Sequence, residues 1–169
     1  NDFQEEGRTE IQAKPVSDSK VELAEIMMPQ HSNSAGNIFG GVIMSMIDNA
    51  ALLAASRHTH KNCVTASVDR IDFLSPVYVG NAVFAKASLN YVSHTSMEIG
   101  VRVEAECLVT GKKSHVASAY VTFVALDDND KPTNIPGLTP ETEEEKRRFK
   151  EGEERRKKRV KKIRNHDPN

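Results

Sequence analysis

The sequence is poor in aromatic residues and in cysteine, and it contains no long apolar run. Its two cysteines, Cys63 and Cys107, are too few for a disulfide framework and lack the spacing of metal ligands. We therefore expect two small buried hydrophobic residues in a protein of a reducing compartment. The longest apolar run, residues 50–55, is much shorter than a membrane span, and no signal-peptide core opens the chain. These absences favour a cytoplasmic protein that does not associate with membranes.

The chain also has little net charge and lacks several motifs of nucleotide binding and catalysis. The chain carries 23 basic and 24 acidic residues, so it has no overall attraction for nucleic acid or acidic membranes. It contains no G-x-G-x-x-G fingerprint, no P-loop and no G-x-S-x-G nucleophile elbow. None of its histidines shows the H-x-x-x-H spacing of a helical zinc site, and we expect no bound metal.

The 169 residues are enough for one domain with a polar extension at each end. Residues 1–19 are polar without periodicity and predict a mobile arm. Residues 20–136 are predicted to form the folded domain, and residues 137–169 a charged helical tail. At the start of the domain, residues 20–28 alternate between apolar and polar and predict a first strand.

Residues 39–58 show the pattern of a buried helix. Their apolar side chains occur nearly all round, which requires cover on every side. The polar members Ser45, Asp48, Asn49 and Ser56 fall within an arc of about 100°. A buried carboxylate is costly unless it is used or paired, so Asp48 is a candidate general base. The alternative is an aspartate satisfied by Ser45, by Asn49 or by a neighbouring strand.

Four strand-like runs follow the helix, each bounded by turn residues. They are residues 64–73, 82–92, 96–108 and 115–126. In the third run, alternate residues from Met97 to Cys107 are predicted to face inward and Glu98 to face outward. Short connections favour antiparallel pairing, and this order of elements is typical of an α+β fold whose sheet curls around the helix. Because one flank of the helix stays open, we expect two subunits to pair.

The tail follows a linker rich in Pro, Asn and Asp at residues 127–137. Thr139-Pro140 marks a helix start, and residues 141–164 are acidic first and basic last, which complements the helix dipole. The simplest interpretation is a solvated, partly frayed helix without a binding role. The alternatives are a basic end that contacts the phosphates of a bound ligand, or one that binds nucleic acid nonspecifically.

The start of the central helix offers polar groups of another kind. Gly40 and Gly41 allow a ligand to approach the free N–H groups of the first turn, which suit a developing oxyanion. Alternatively, the glycines only permit close packing. Asn37 is either the N-cap of the helix or a group that positions a water. For His31, a structural role and an assisting role are both open.

The segment from Met28 to Gly41, together with Met46-Ile47-Asp48, resembles the signature of the hotdog-fold acyl-CoA thioesterases, specifically the cytosolic acyl-CoA hydrolases. The segment reads Met-Pro-Gln-His-Ser-Asn-Ser-Ala-Gly-Asn-Ile-Phe-Gly-Gly. Further matches follow in order at Val64–Asp69, Phe73–Val77, Val79-Gly80 and Thr95–Glu98. The similarity runs from about residue 21 to residue 136 and omits the N-terminal arm and the charged tail.

This resemblance implies a hotdog fold, a dimer with continuous sheets and a site at the dimer interface. Asp48 matches the catalytic carboxylate, a general base or a nucleophile, and Asn37 matches an asparagine contributed by the other protomer. Gly40 and Gly41 match the helix start that polarises the thioester carbonyl. Relatives are often trimers of dimers, so a homohexamer is expected. CoA enters as part of the substrate, and no further cofactor is needed.

The resemblance also implies where CoA contacts the chain. Thr95 and Ser96 match a strand segment near the CoA arm, although His94 stands where relatives often have Gly or Arg. Candidates for the phosphate contacts are Arg57, Lys112, Lys113 and the basic tail.

The predicted function is hydrolysis of acyl-CoA thioesters to free fatty acid and CoA. Three alternatives belong to other classes. The first is a noncatalytic acyl-CoA or nucleotide-binding regulator on the same fold. The second is a hotdog hydratase or dehydratase, which the absence of a histidine beside Asp48 disfavours. The third is a nucleic-acid-binding protein that uses the basic tail.

Overall fold

A long helix lies on one face of a five-stranded antiparallel sheet in the computed structural model, which describes residues 11–166. Residues 1–10 of the predicted arm and residues 167–169 of the tail lie outside this range. The elements in chain order are β1 (Lys14–Pro15), β2 (Val21–Ile26), α1 (Gly40–Thr59), β3 (Asn62–Phe73), β4 (Ala82–Val92), β5 (Ser96–Glu106), β6 (Lys113–Leu126), β7 (Leu138–Thr139) and α2 (Glu143–His166). Short 3-10 turns cover Val16–Ser19 and Pro29–His31.

The sheet has the strand order β2-β4-β5-β6-β3, and all neighbouring strands are antiparallel. α1 packs against each of these strands, so the sheet curls around the helix and the predicted α+β architecture is confirmed. β3 forms one edge of the sheet. It carries two bulges, one between Thr65 and Ser67 and one between Val68 and Arg70.

The core lies between α1 and the inner face of the sheet. Alternate residues of β5 from Met97 to Ala105 are buried there, as their period of two predicts. Cys63 is buried as expected, but the expectation is wrong for Cys107, which follows the end of β5 in a turn and is partly exposed. Hydrogen bonds from the side chain and backbone of Thr110 hold the pKa of the Cys107 thiol below its usual value.

α1 has one flank that the sheet does not cover, as the sequence analysis predicted. The side chains of Met44, Leu52 and Leu53 are between 38% and 48% exposed. These residues and Asp48 form what we call the open face of α1. The sheet of one protomer covers mainly the opposite side of the helix, so the apolar residues of the open face are only partly covered within the described residues.

The segment directly before β2 is packed, whereas the sequence predicted a mobile arm. β1 pairs in parallel with β7, and the side chains of Val16 and Ser19 are buried. The Ser19 hydroxyl donates to the Val16 carbonyl and accepts from the Leu89 N–H. At the end of α1, the buried His58 ring contacts the Pro136 carbonyl at 2.8 Å. The segments at both ends of the domain are therefore held together.

The charged tail is a docked helix rather than a solvated one. α2 packs on the outer face of the sheet, where the Phe149 ring meets Tyr91 with centroids 5.0 Å apart. Arg155 of α2 forms an ion pair with Glu98 of β5 at 2.7 Å. Glu98 does point to the outer face, but it is only 3% exposed because α2 covers it.

Candidate active site

Asp48 lies in the middle of α1 on the open face of the helix. The Thr65 hydroxyl on β3 donates a hydrogen bond of 2.8 Å to Asp48 Oδ1. Within residues 11–166, Thr65 is the one hydrogen-bond partner of this carboxylate, and neither Ser45 nor Asn49 satisfies it. Oδ2 is therefore free to accept a proton from a water or another ligand.

Apolar side chains flank this carboxylate on the side that the protomer leaves uncovered. Met44, Leu52 and Leu53 are exposed on α1, and Val68 is 47% exposed on β3. Exposed apolar side chains that cluster in this way are typical of a surface that binds another protein or an apolar ligand. The adjacent edge of β3 presents strand N–H and carbonyl groups, which a second strand can pair with.

α1 begins at Gly40, and its N-cap is Phe39, which provides no side-chain cap. Asn37 is therefore not the N-cap, one of the two roles that the sequence left open. In the part of the chain that the structure describes, no acceptor meets the N–H groups of Gly40 and Gly41. The positive end of the helix dipole is thus open to a polar ligand. Gly41 also leaves room for the Phe39 ring, because a Cβ at this position would clash with that ring.

Asn33 organises the loop that leads into α1. Its Oδ1 accepts hydrogen bonds from the N–H groups of Ala35 at 3.0 Å and Asn37 at 3.2 Å. Its own N–H donates to the Asn37 carbonyl at 2.7 Å. Asn33, Asn37 and Gly40 line one cavity of about 380 Å³ at the helix start. Asp48 is not among the residues that line this cavity.

Asp48 and the helix start are too far apart to contact the same ligand atom within one protomer. At a rise of about 1.5 Å per residue, Gly41 and Asp48 are separated by about 10 Å along the helix axis. A carbonyl oxygen must lie about 3 Å from each hydrogen-bond donor that polarises it. Within one protomer, the Asp48 carboxylate and the Gly40–Gly41 turn are therefore two separate candidate groups.

His31 and Arg57 have structural contacts in the protomer. The His31 Nδ1 accepts the Met28 N–H at 3.0 Å, and its Nε2 lies 3.7 Å from a Glu25 carboxylate oxygen. The Arg57 guanidinium donates to the Lys20 carbonyl at 2.9 Å and so ties the end of α1 to the start of β2. Neither contact involves Asp48 or the Gly40–Gly41 turn, and a substrate role for either residue stays a prediction.

Thr95 and Ser96 lie at the turn between β4 and β5. The Thr95 carbonyl accepts the Ala125 N–H, and Ser96 pairs with Val124 in the sheet register. Their side chains make no hydrogen bond within residues 11–166. Their assignment to the CoA arm stays a prediction.

Two residues of the site were missed by the sequence interpretation. Thr65 stands in a segment quoted for the family resemblance, and it lies on the strand that directly follows the helix. The strand that directly follows a helix and folds back beside it is well placed to hydrogen bond with the polar side chains of that helix. Asn33 stands in the quoted signature, and the spacing Asn33 to Gly36 is typical of a side-chain-closed turn. Both signals were present but carried no assigned role.

Within the described residues, no group of three or more His, Cys, Asp or Glu side chains is arranged to hold a metal ion. Over the same range, neither helix combines the length and hydrophobicity needed to cross a membrane.

Comparison with known proteins identifies a common family. The model of the thioesterase superfamily matches residues 35–121. A Bacillus subtilis protein named as an uncharacterized acyl-CoA thioester hydrolase is 41% identical over 128 residues, covering 76% of this chain and 74% of that protein. The mouse cytosolic acyl coenzyme A thioester hydrolase is 39% identical over 142 residues, covering 83% of this chain. This alignment spans only 37% of the mouse protein, which is much longer.

Solved structures with the same fold belong to proteins of similar name. A hexameric acyl-CoA thioesterase in its apo form matches with a TM-score of 0.87 and 37% identity, covering 90% of this chain and 98% of the other. The Staphylococcus aureus acyl-CoA hydrolase, solved with butyryl-CoA, CoA and CoA disulfide, matches with a TM-score of 0.81 and 35% identity, covering 90% and 95%. Variants of the S. aureus enzyme with alanine in place of an aspartate, an asparagine or a threonine match as well.

Proposed function

This chain belongs to the acyl-CoA thioester hydrolases of the thioesterase superfamily, and we propose that it cleaves acyl-CoA to a free fatty acid and CoA at Asp48. The observation that carries this proposal is the Asp48 carboxylate on an apolar open face. The Thr65 hydroxyl orients one of its oxygens and leaves the other free. A carboxylate held in this way can take a proton from an attacking water.

In the proposed reaction, a water attacks the carbonyl carbon of the thioester while Asp48 accepts one of its protons. The free N–H groups of Gly40 and Gly41 donate to the carbonyl oxygen as it gains negative charge. The tetrahedral intermediate then collapses and the carbon–sulfur bond breaks. The protonated Asp48 returns its proton to the sulfur, so CoA leaves as a thiol and the carboxylate is regenerated. The proposed reaction uses no metal or redox cofactor. CoA enters only as part of the substrate.

Each complete site would combine two protomers. We propose that the N–H donors of each site come from a second copy of the chain, since Asp48 and the helix start lie about 10 Å apart along one helix. The open face of α1 beside the free edge of β3 suits a symmetric pairing in which two sheets become continuous. Since one similar thioesterase is described as hexameric, we propose three such dimers as the full assembly.

Two asparagines compete for the role of positioning the water or the thioester. The sequence prediction is Asn37, whose side chain makes no hydrogen bond within residues 11–166. In the S. aureus enzyme, the substituted asparagine and threonine are as far along the sequence from the aspartate as Asn33 and Thr65 are from Asp48. This agreement makes Asn33 the stronger candidate, with its Oδ1 fixing the loop and its amide N–H groups left to contact the ligand.

The remaining assignments concern CoA and the location of the protein. Thr95 and Ser96 would contact the CoA arm, and Arg57 its phosphates, although the Arg57 guanidinium is already bonded to the Lys20 carbonyl. His31 would assist only indirectly, by holding the turn at Pro29–His31 through its hydrogen bond with the Met28 N–H. A cytoplasmic location is consistent with the cytosolic mammalian relatives.

The proposal is tested by measuring thiol release from an acyl-CoA series that runs from acetyl to palmitoyl. Asp48→Asn should lower kcat by at least about 100-fold while thermal unfolding stays close to the parent value. Asn49→Ala, which changes the exposed neighbour of Asp48, is the matched control and should retain activity. If the parent chain binds acyl-CoA without releasing thiol, the regulator becomes the leading account and the hydrolase proposal fails.

A further inference from the structure

α2 lies on the outer face of the sheet, opposite to α1, and makes close contact with that face. Side chains of a strand alternate between the two faces, so Glu98 points to α2 while its neighbours Met97 and Ile99 point to the core. Gly152 permits the close approach, because a Cβ there would lie 2.9 Å from Tyr91 Cβ and 3.2 Å from Glu98 Oε1. The helix is therefore fitted to this face rather than resting on it loosely.

Arg155 fixes the middle of α2 to two strands. Its Nε and Nη2 donate to both Glu98 carboxylate oxygens at 2.7–3.2 Å. Its guanidinium also lies over the Tyr120 ring of β6, 3.8 Å from the centroid. Because Glu98 is buried and its charge is matched by Arg155, this contact sets the position of α2 relative to β5 and β6.

One turn further along α2, Arg159 reaches the edge strand. Its Nη1 donates to Asp69 Oδ2 at 2.5 Å, and both side chains are only about one fifth exposed. Asp69 is the extra residue of the second bulge in β3, since Val68 pairs with Val121 and Arg70 with Tyr120. Bulged residues leave part of the strand ladder unpaired, so this stretch has fewer backbone bonds to hold it.

The two bulges place Asp69 and Thr65 at opposite ends of one irregular segment of β3. Thr65 borders the first bulge and donates to Asp48. We propose that Arg159 is a positioning residue: through Asp69 it holds the bulged segment 65–70 in the register that aims the Thr65 hydroxyl at the catalytic carboxylate. This inference rests on the proposed function of Asp48. It gives the charged tail a role in catalysis without contact with substrate.

The test measures kcat and KM of the full chain with butyryl-CoA, by thiol release, for Arg159→Ala and Asp69→Asn. Both should lower kcat about three- to tenfold and leave KM within about twofold. Arg159→Lys, which keeps the charge, should restore most of the loss. The matched control is Arg147→Ala, which removes an ion pair between Arg147 and Glu151 within α2 and none with β3. The control should keep the parent kcat.

A double-mutant cycle separates positioning from a general structural effect. If Arg159 acts through Thr65, Arg159→Ala should cause no further loss of kcat in a Thr65→Val background. If the kcat losses of the two single variants multiply in the double variant, the inference is overturned. An effect of Arg159→Ala on KM or thermal stability alone, with kcat unchanged, would overturn it as well. These outcomes leave the proposed function intact, since that fails only if the parent chain releases no thiol. If the parent chain releases no thiol, amide hydrogen exchange of residues 62–73 tests the inference instead. Exchange rates in Arg159→Ala equal to those of the parent would show that Arg159 does not hold this segment.

Discussion

The Thr65 hydroxyl and the Asp48 carboxylate connect the edge strand β3 to the centre of α1 through one hydrogen bond of 2.8 Å. Because the donor is on a strand and the acceptor on a helix, the orientation of the carboxylate depends on how two elements pack. A defect in that packing would be felt as a loss of turnover rather than of substrate binding.

Thr65→Val removes the donor while keeping a β-branched side chain suited to a strand. We expect kcat for butyryl-CoA to fall about 10- to 100-fold, the usual effect of losing a hydrogen bond to a charged group. Thr65→Ser keeps the hydroxyl and should stay close to the parent. Steady-state kinetics on the three proteins, with circular dichroism as the folding control, make the comparison. Equal losses in both variants would show that the methyl group matters and the hydroxyl does not.

Mixing two inactive variants tests whether each site is shared between protomers. Asp48→Asn and Asn33→Ala spoil different halves of the site, so a mixed dimer should contain one intact site. After joint refolding of equal amounts, about a quarter of parental activity should return if dimers form at random. Each variant refolded alone is the control and should stay inactive.

The same mixing experiment with Asn37→Ala in place of Asn33→Ala distinguishes the two asparagines. If Asn33 is the functional residue, Asn37→Ala alone should keep most of its activity. No recovery in any mixture would mean that Asp48 and the loop act within one protomer, and it would overturn the shared site.

Gly152→Ala should destabilise the protein although alanine is the better helix former by about 1 kcal/mol. The added methyl group would meet Tyr91 Cβ at 2.9 Å and Glu98 Oε1 at 3.2 Å, so α2 must shift and strain its ion pair with Glu98. We expect a net loss of about 1–2 kcal/mol in the free energy of unfolding. Glu154→Ala, at an exposed position of the same helix, serves as the control in thermal denaturation. A stabilised Gly152→Ala protein would mean that α2 is not docked in this way.

His58 should make the folded state sensitive to acid. Burial lowers the pKa of His58 below its ordinary value of 6.5, against the opposing effect of its hydrogen bond to the Pro136 carbonyl. In the unfolded chain the imidazole titrates near its ordinary value. The unfolded state therefore binds more protons in the window below about 6.5. The stabilisation is fully present above that pH and is lost as the pH falls towards the lowered pKa.

Urea unfolding at pH 7.5 and 5.5 checks this dependence. The parent should lose more free energy of unfolding on acidification than His58→Gln, which cannot titrate. His60→Gln, at an exposed position, should behave like the parent. An identical loss in all three proteins would assign the acid sensitivity to other groups.

Local patterns were sufficient to predict the main architecture and the central helix. The alternation in β5 and the apolar run of α1 reflect burial against each other, so periodicity alone predicts both. Periodicity does not show how far the cover extends, and Leu52 and Leu53 look like core residues in the sequence while one protomer leaves them exposed. The missing cover has to come from a second chain, which a single sequence can suggest but not place.

Predictions failed where contacts join distant parts of the chain. The polarity of α2 suggested solvation, because its few apolar residues gave no sign that Arg155 and Arg159 would find carboxylates on β5 and β3. Val16 was assigned to a mobile arm because residues 1–19 are polar and charged and show no periodicity. Thr65 received no role because its contact with Asp48 forms only when β3 folds back beside α1.

The turn after β5 affects how turnover of this protein is measured. A reagent that colours with free thiol reports released CoA, but it also reacts with thiolates of the protein. Cys107 is accessible and more acidic than an ordinary thiol, so it should consume one equivalent of reagent per chain before any substrate is added. Cys63 is buried, with its thiol pKa raised by burial, and should react only when the chain unfolds. The early equivalent therefore counts all chains in the cuvette, and a second equivalent signals that the preparation is losing its structure.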